Sequence, residues 1–230
     1  MTPSLEQRRT LLSSIAATGA LAFVACAHSA PGAQEPKNEE DSGEADVTPG
    51  EDLMQEHGVL ERILLIYDES ARRIEQNDAA DTSAVSDAAG IVRRFVEEYH
   101  EKNEEKFVFP RLQAAKSEVE LVAVLLRQHE RGRQLTDEIV RRADAGPSPE
   151  LAQLLRSFVR MYRPHAARED TVLFPAFRRV VGRDAYRELG EQFEDDEHRR
   201  FGEHGFEATV AAVAKLETAL AIADLAQFTP

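Results

Sequence analysis

The sequence predicts an all-α protein, an up-down four-helix bundle with a helical C-terminal extension. Three observations carry this. Apolar residues recur at three- and four-residue spacings from Asp52 onward. No segment shows the sustained alternation of a strand. The first four helical segments are joined by short connections, which favour antiparallel neighbours.

The first helix places Leu53, Leu60, Ile63, Leu64 and Tyr67 on one stripe. The second runs over 81–116, with Ile91, Val92, Phe95, Val96 and Tyr99 inward and Asp81 or Ser83 as its cap. The third covers 117–144, with Leu121, Val124, Leu125, Leu135 and Ile139, and stops at Ala145-Gly146-Pro147. The fourth starts near Pro149 behind Ser148 and continues to about Val181. Pro164 lies inside it and predicts a kink, because proline removes one helical hydrogen bond. After a break at Gly182-Arg183-Asp184, shorter helices are expected around 184–200 and 205–224.

Ahead of the bundle the chain changes character. Arg8 and Arg9 precede the apolar run 11–25 and then Cys26. The run is shorter than the roughly 20 residues of a spanning helix, and its basic, apolar and small-residue order is that of an export signal. The RRTLL segment resembles a twin-arginine signal, and Val24-Ala25-Cys26 resembles the end of a lipobox that would lipidate Cys26. Residues 27–50 have almost no large apolar side chain and read as a disordered tether. The expected organisation is export signal 1–26, linker 27–50, bundle 51–182 and extension 183–230. The expected location is the cell envelope or periplasm, with membrane contact only through a lipid on Cys26.

Composition narrows the partners. The formal net charge is -14, with 42 acidic against 28 basic residues, which repels nucleic-acid phosphates and anionic lipid. Cys26 is the single cysteine, so an intramolecular disulfide and a thiolate metal cluster are excluded. A metal here must be held by nitrogen and oxygen.

The histidines supply the motif. HEKNEEKFVFPRL (100–112) and HAAREDTVLFPAF (165–177) both open on His, place Glu four residues on, and reach Phe-Pro at the ninth and tenth positions after the His. Residues four apart on a helix point nearly the same way, so His100 projects with Glu104 and His165 with Glu169. His57 and His129 add one imidazole from each of the other two helices. Imidazoles and carboxylates facing one another in a bundle core are what a dinuclear iron or manganese site uses. Each Phe-Pro is expected to pack at the dry end of the bundle and to terminate or bend its helix. Tyr99 and Tyr162 sit beside or one turn from ligand histidines, as core aromatics or general acids. His198 and His204 lie in the acidic stretch 193–207 of the extension; His198 is the one considered near a metal, and His204 is expected in a solvated turn.

The order His57, His100 with Glu104, His129, His165 with Glu169 resembles the hemerythrin-like family over about residues 52–181. The resemblance implies a four-helix bundle with a non-haem centre of two iron ions, iron ahead of manganese or zinc. It implies His57, His100 and Glu104 at one iron, His129, His165 and Glu169 at the other, and the glutamates as candidate bridges. The oxygen-carrying type brings five His, a Glu and an Asp, whereas this bundle supplies four His and two Glu; solvent, Glu101 or a group of the extension such as His198 is left to fill the remainder. The activity implied is binding of dioxygen or a related small ligand, nitric oxide or peroxide, for sensing, storage or delivery. Alternatives are an enzyme that decomposes peroxide or another oxidant, and an iron store, iron sensor or structural metal site.

Overall fold

The computed structural model of the chain describes residues 47–78 and 80–230. The export signal, Cys26 and most of the tether lie outside the described residues. All regular structure among the described residues is helical, and no described helix is long and apolar enough to cross a membrane.

Helix α1 is Pro49–Glu75. It begins three residues before Asp52, because Thr48 and Glu51 form a reciprocal capping box and Pro49 supplies a preset first turn. Helix α2 (82–114) starts as Thr82–Ile91 behind an Asp81 cap and passes through π-helical Val92–His100, a short Glu101–Asn103 segment and π-helical Glu104–Val108. It ends as Phe109–Ala114. Helix α3 is Val119–Asp144. Helix α4 (149–181) comprises Pro149–Arg168, π-helical Glu169–Leu173 and Phe174–Val181, with Ser148 accepting from the Leu151 N–H at its start. Helices α5, Arg183–Phe201, and α6, Gly205–Ala219, form the extension.

Helix α4 continues through Pro164, in keeping with a helix that does not break there. One detail differs from the sequence reading: neither Phe-Pro terminates its helix, and Pro110 and Pro175 each stand second in an α-helical segment that directly follows a π-helical one. A helical proline ring crowds the carbonyl four residues back, here that of Lys106 or Thr171. Both carbonyls lie in π-helical turns, whose wider register relieves the crowding. Such π-bulges recur at functional sites.

The core is divided by a polar layer. One apolar cluster holds Ile63, Tyr67, Phe95, Ile139, Phe158 and their neighbours; the other holds Leu53, Phe109, Leu125, Phe174 and Phe177. Between them, on each of α1 to α4, fall the buried residues His57; His100, Glu101 and Glu104; His129; and His165 and Glu169. Along the chain, α1 and α3 pass from the second cluster to the first, and α2 and α4 pass the other way.

The extension is built into the same core. Tyr186, Leu189 and Phe193 of α5 belong to the second cluster, and Val213 of α6 to the first. The Tyr186 hydroxyl accepts from the Gly50 N–H at 2.9 Å, an approach that a side chain at position 50 would block. Arg62 pairs with Glu217, and Arg200 donates to the Glu98 carbonyl. These contacts tie α5 and α6 onto α1 and α2.

Candidate metal centre

The four histidines converge with one orientation. His57 Nε2 is 3.3 Å from a Glu169 oxygen and His165 Nε2 is 3.0 Å from the same carboxylate. His100 Nε2 and His129 Nε2 lie 3.6 Å and 3.4 Å from Glu104 Oε2, and His129 Nε2 is also 3.9 Å from Glu169. Donor atoms of His57, His100, Glu104 and Glu169 form one group within reach of a single cation; His129, His165 and Glu169 form a second. Glu169 is common to both. Glu104 and Glu169 are fully buried.

Each Nδ1 faces outward to an acceptor. His57 meets Asp170 at 2.7 Å, His100 meets Glu56 at 2.6 Å, His129 meets Glu105 at 3.2 Å and His165 meets the Gln128 amide oxygen at 2.9 Å. An ionised carboxylate can only accept, so it fixes the neutral imidazole as the Nδ1–H tautomer. In the deprotonated forms that ligate a metal, every Nε2 then offers a bare lone pair toward two carboxylates that also offer only lone pairs. Accordingly, Nε2 of His57, His100 and His129 and all four oxygens of Glu104 and Glu169 are buried without a hydrogen-bond partner. Leaving such groups unsatisfied costs roughly 1–3 kcal/mol apiece. Cations satisfy them together, and the donor set of four imidazoles and two carboxylates fits iron or manganese.

The electrostatics agree. Burial pushes Glu56 and Glu101 up to about 8 and raises Glu104 well above the carboxylate range, with Glu169 adding to the effect on Glu104. Burial would raise Glu169 too, but His165 and His57 outweigh it and hold Glu169 ionised. Burial would lower His57, yet hydrogen bonds to Asp170 and Glu169 carry it up to about 9. Burial dominates at His100, which is driven well below its ordinary value, and at His129, lowered to about 4. A proton on His57 thus substitutes, in the metal-free protein, for part of the missing positive charge.

The repeated Phe-Pro gains a role here that spacing did not reveal. Phe174 stacks on the His57 ring and Phe109 on the His129 ring, at centroid distances of 5.6 and 5.5 Å. Each phrase therefore places a ligand pair on its own helix and an aromatic wall against a histidine of another helix.

Other sequence candidates fall differently. Glu101 accepts from the Tyr162 hydroxyl at 2.7 Å and from Arg133 at 2.8 Å, and its carboxylate gathers with Glu105 and His129 in a third group within reach of a single cation. The Tyr162 hydroxyl rests against Gly132, where a Cβ would lie 1.8 Å from it. Tyr99 is buried, with its hydroxyl 3.5 Å from the Phe193 carbonyl. Neither His198 nor His204 joins a metal-competent group among the described residues; His204 is exposed at the start of α6. The sequence reading missed Glu56, Glu105, Gln128 and Asp170. All four adjoin a ligand in sequence (Glu56 with His57, Glu105 with Glu104, Gln128 with His129, Asp170 with Glu169), yet each supports a histidine of a helix other than its own.

The profile of the hemerythrin HHE cation binding domain matches residues 48–177, a span that holds all six converging residues. Proteins of Mycobacterium tuberculosis and Mycobacterium bovis, each described as uncharacterized, are 46% identical over 237 residues, covering 99% of this chain and 92% of theirs. No solved structure matches the chain.

Proposed function

Because the chain belongs to the hemerythrin HHE cation binding domain family, we propose that it is a non-haem di-iron protein that binds dioxygen or a related small ligand, nitric oxide or peroxide. On this reading α1 to α4 form an up-down four-helix bundle, supported by the alternating direction in which they cross the polar layer. His57, His100 and Glu104 would hold one iron, His129 and His165 the other, and Glu169 would bridge. The observation that carries the proposal is the set of seven buried lone-pair atoms left without a partner between four helices.

The bound metal pair would supply reversible ligand binding or electron exchange with a small oxidant. The chain's own residues do the rest. Asp170, Glu56, Glu105 and Gln128 orient the four imidazoles. Phe109 and Phe174 wall the site with apolar surface that excludes water. Tyr162 and Arg133 fix the Glu101 carboxylate by hydrogen bonds.

The test is metal content per chain with an optical spectrum, on protein purified aerobically with iron supplied. About two irons per chain, with near-ultraviolet bands of an oxo-bridged pair, is the expected result for a dinuclear bundle. Zinc alone, or no metal, would overturn the reading. Adding dioxygen, nitric oxide or peroxide to the reduced protein then separates binding from turnover.

Export and lipid anchoring through Cys26 form part of the same proposal, on the RRTLL and Val24-Ala25-Cys26 segments. Replacing Cys26→Ser should move the protein from the membrane fraction to the soluble one. Retention in the membrane fraction would argue for an uncleaved anchor instead.

A further inference from the structure

The four imidazoles are alike toward the metal side and unlike behind it. Three Nδ1 atoms meet carboxylates, and the fourth, on His165, meets the neutral Gln128 amide. A carboxylate behind an imidazole draws on the Nδ1 proton and makes Nε2 a stronger donor, and loss of such a partner typically lowers metal affinity 10- to 100-fold.

The charges around these partners sharpen the contrast. Glu56 and Asp170, behind His100 and His57, have no Lys or Arg ion pair among the described residues. Glu56 is buried and lies 2.6 Å from His100, away from solvent; Asp170 is about one-third exposed and its field is partly screened. Glu105, behind His129, is bridged by both Arg133 and Lys102, so its charge is offset twice. It also stands farther from its histidine, at 3.2 Å against 2.6 and 2.7 Å. The first group gathers four donor residues and the second three, with Glu169 shared.

We propose, resting on the metal-centre reading above, that the two positions are inequivalent by construction. The cation held by His57 and His100 is the tightly bound one. The cation held by His129 and His165 is exchangeable, and Gln128 is the positioning residue that sets the difference. Loading then proceeds first at His57 and His100, and loss proceeds first at His129 and His165.

The experiment loads the full chain with ferrous iron under anaerobic conditions and adds excess of a colour-forming ferrous chelator. Wild type should release iron in two phases of equal amplitude, with rates about 10-fold or more apart. Gln128→Glu should slow the fast phase and leave the slow one unchanged. Glu56→Gln, an isosteric change, should accelerate the slow phase alone. Melting of the metal-free Gln128→Glu protein should match wild type, which separates a ligand-tuning role from a structural one. Two irons leaving wild type in one phase would overturn this inference and leave the metal centre standing, as would a Gln128→Glu effect confined to the slow phase. A wild-type chain that takes up no iron would overturn both.

Discussion

Replacing Glu169→Ala should empty both metal positions, whereas His165→Ala should leave about one metal per chain. The difference follows from Glu169 being the one side chain common to both groups of donors. Its carboxylate lies within 3.3 Å of His57 Nε2 on α1 and 3.0 Å of His165 Nε2 on its own helix. His165 serves one group only. A cation present at a thousand times its Kd stabilises the folded state by about 4 kcal/mol, and about 1 kcal/mol moves Tm by some 2–4 °C in a domain of this size. Wild type should therefore gain roughly 10 °C or more on metal loading, and Glu169→Ala should gain almost nothing. The measurement is metal per chain and Tm with and without iron for each variant. If Glu169→Ala still holds two metals, the shared-carboxylate arrangement is wrong.

The second large effect is a change in the sign of the pH dependence of stability. In the metal-free protein Glu56 and Glu101 are raised from the ordinary carboxylate value to about 8 by burial, and His57 is raised to about 9, its bonds to Asp170 and Glu169 outweighing burial. A group whose folded-state pKa lies above its unfolded value binds more protons when folded. Its contribution is present below the unfolded pKa and is lost as pH rises through the folded one. His100 and His129 are shifted downward, so they oppose this trend only below about pH 6.5. Between pH 6.5 and 9 the metal-free protein should therefore lose stability as pH rises. Metal binding runs the other way, because imidazole and carboxylate ligate only when deprotonated. The gap in Tm between loaded and metal-free protein should widen across this window. Melting curves at half-unit steps would check it, and a gap that narrows with rising pH would exclude His57 as a ligand.

The sequence by itself determined the helical body, four of its caps and breaks, and the pairing of His with Glu. It could do so because those features are local. Helical periodicity sets which residues share a face. Asp81 and Ser148 cap the helices that follow them, and the i to i+4 offset brings His100 over Glu104 and His165 over Glu169. The early start of α1 was legible too, in the Thr48 and Glu51 box, but apolar content alone drew the boundary at Asp52.

Only the tertiary structure decided what stands behind the histidines and beside them. Asp170 of α4 reaches His57 of α1, Glu56 of α1 reaches His100 of α2, and Gln128 of α3 reaches His165 of α4. Phe174 and Phe109 likewise wall histidines on other helices. These contacts depend on the relative rotation and axial offset of packed helices, which no periodicity within one helix specifies. The same holds for Glu101, whose neighbours Tyr162, Arg133, Glu105 and His129 are set by packing and not by its place next to His100. The identity of the ligand pairs is thus written along single helices, and the inequality between the two positions arises only where the helices meet.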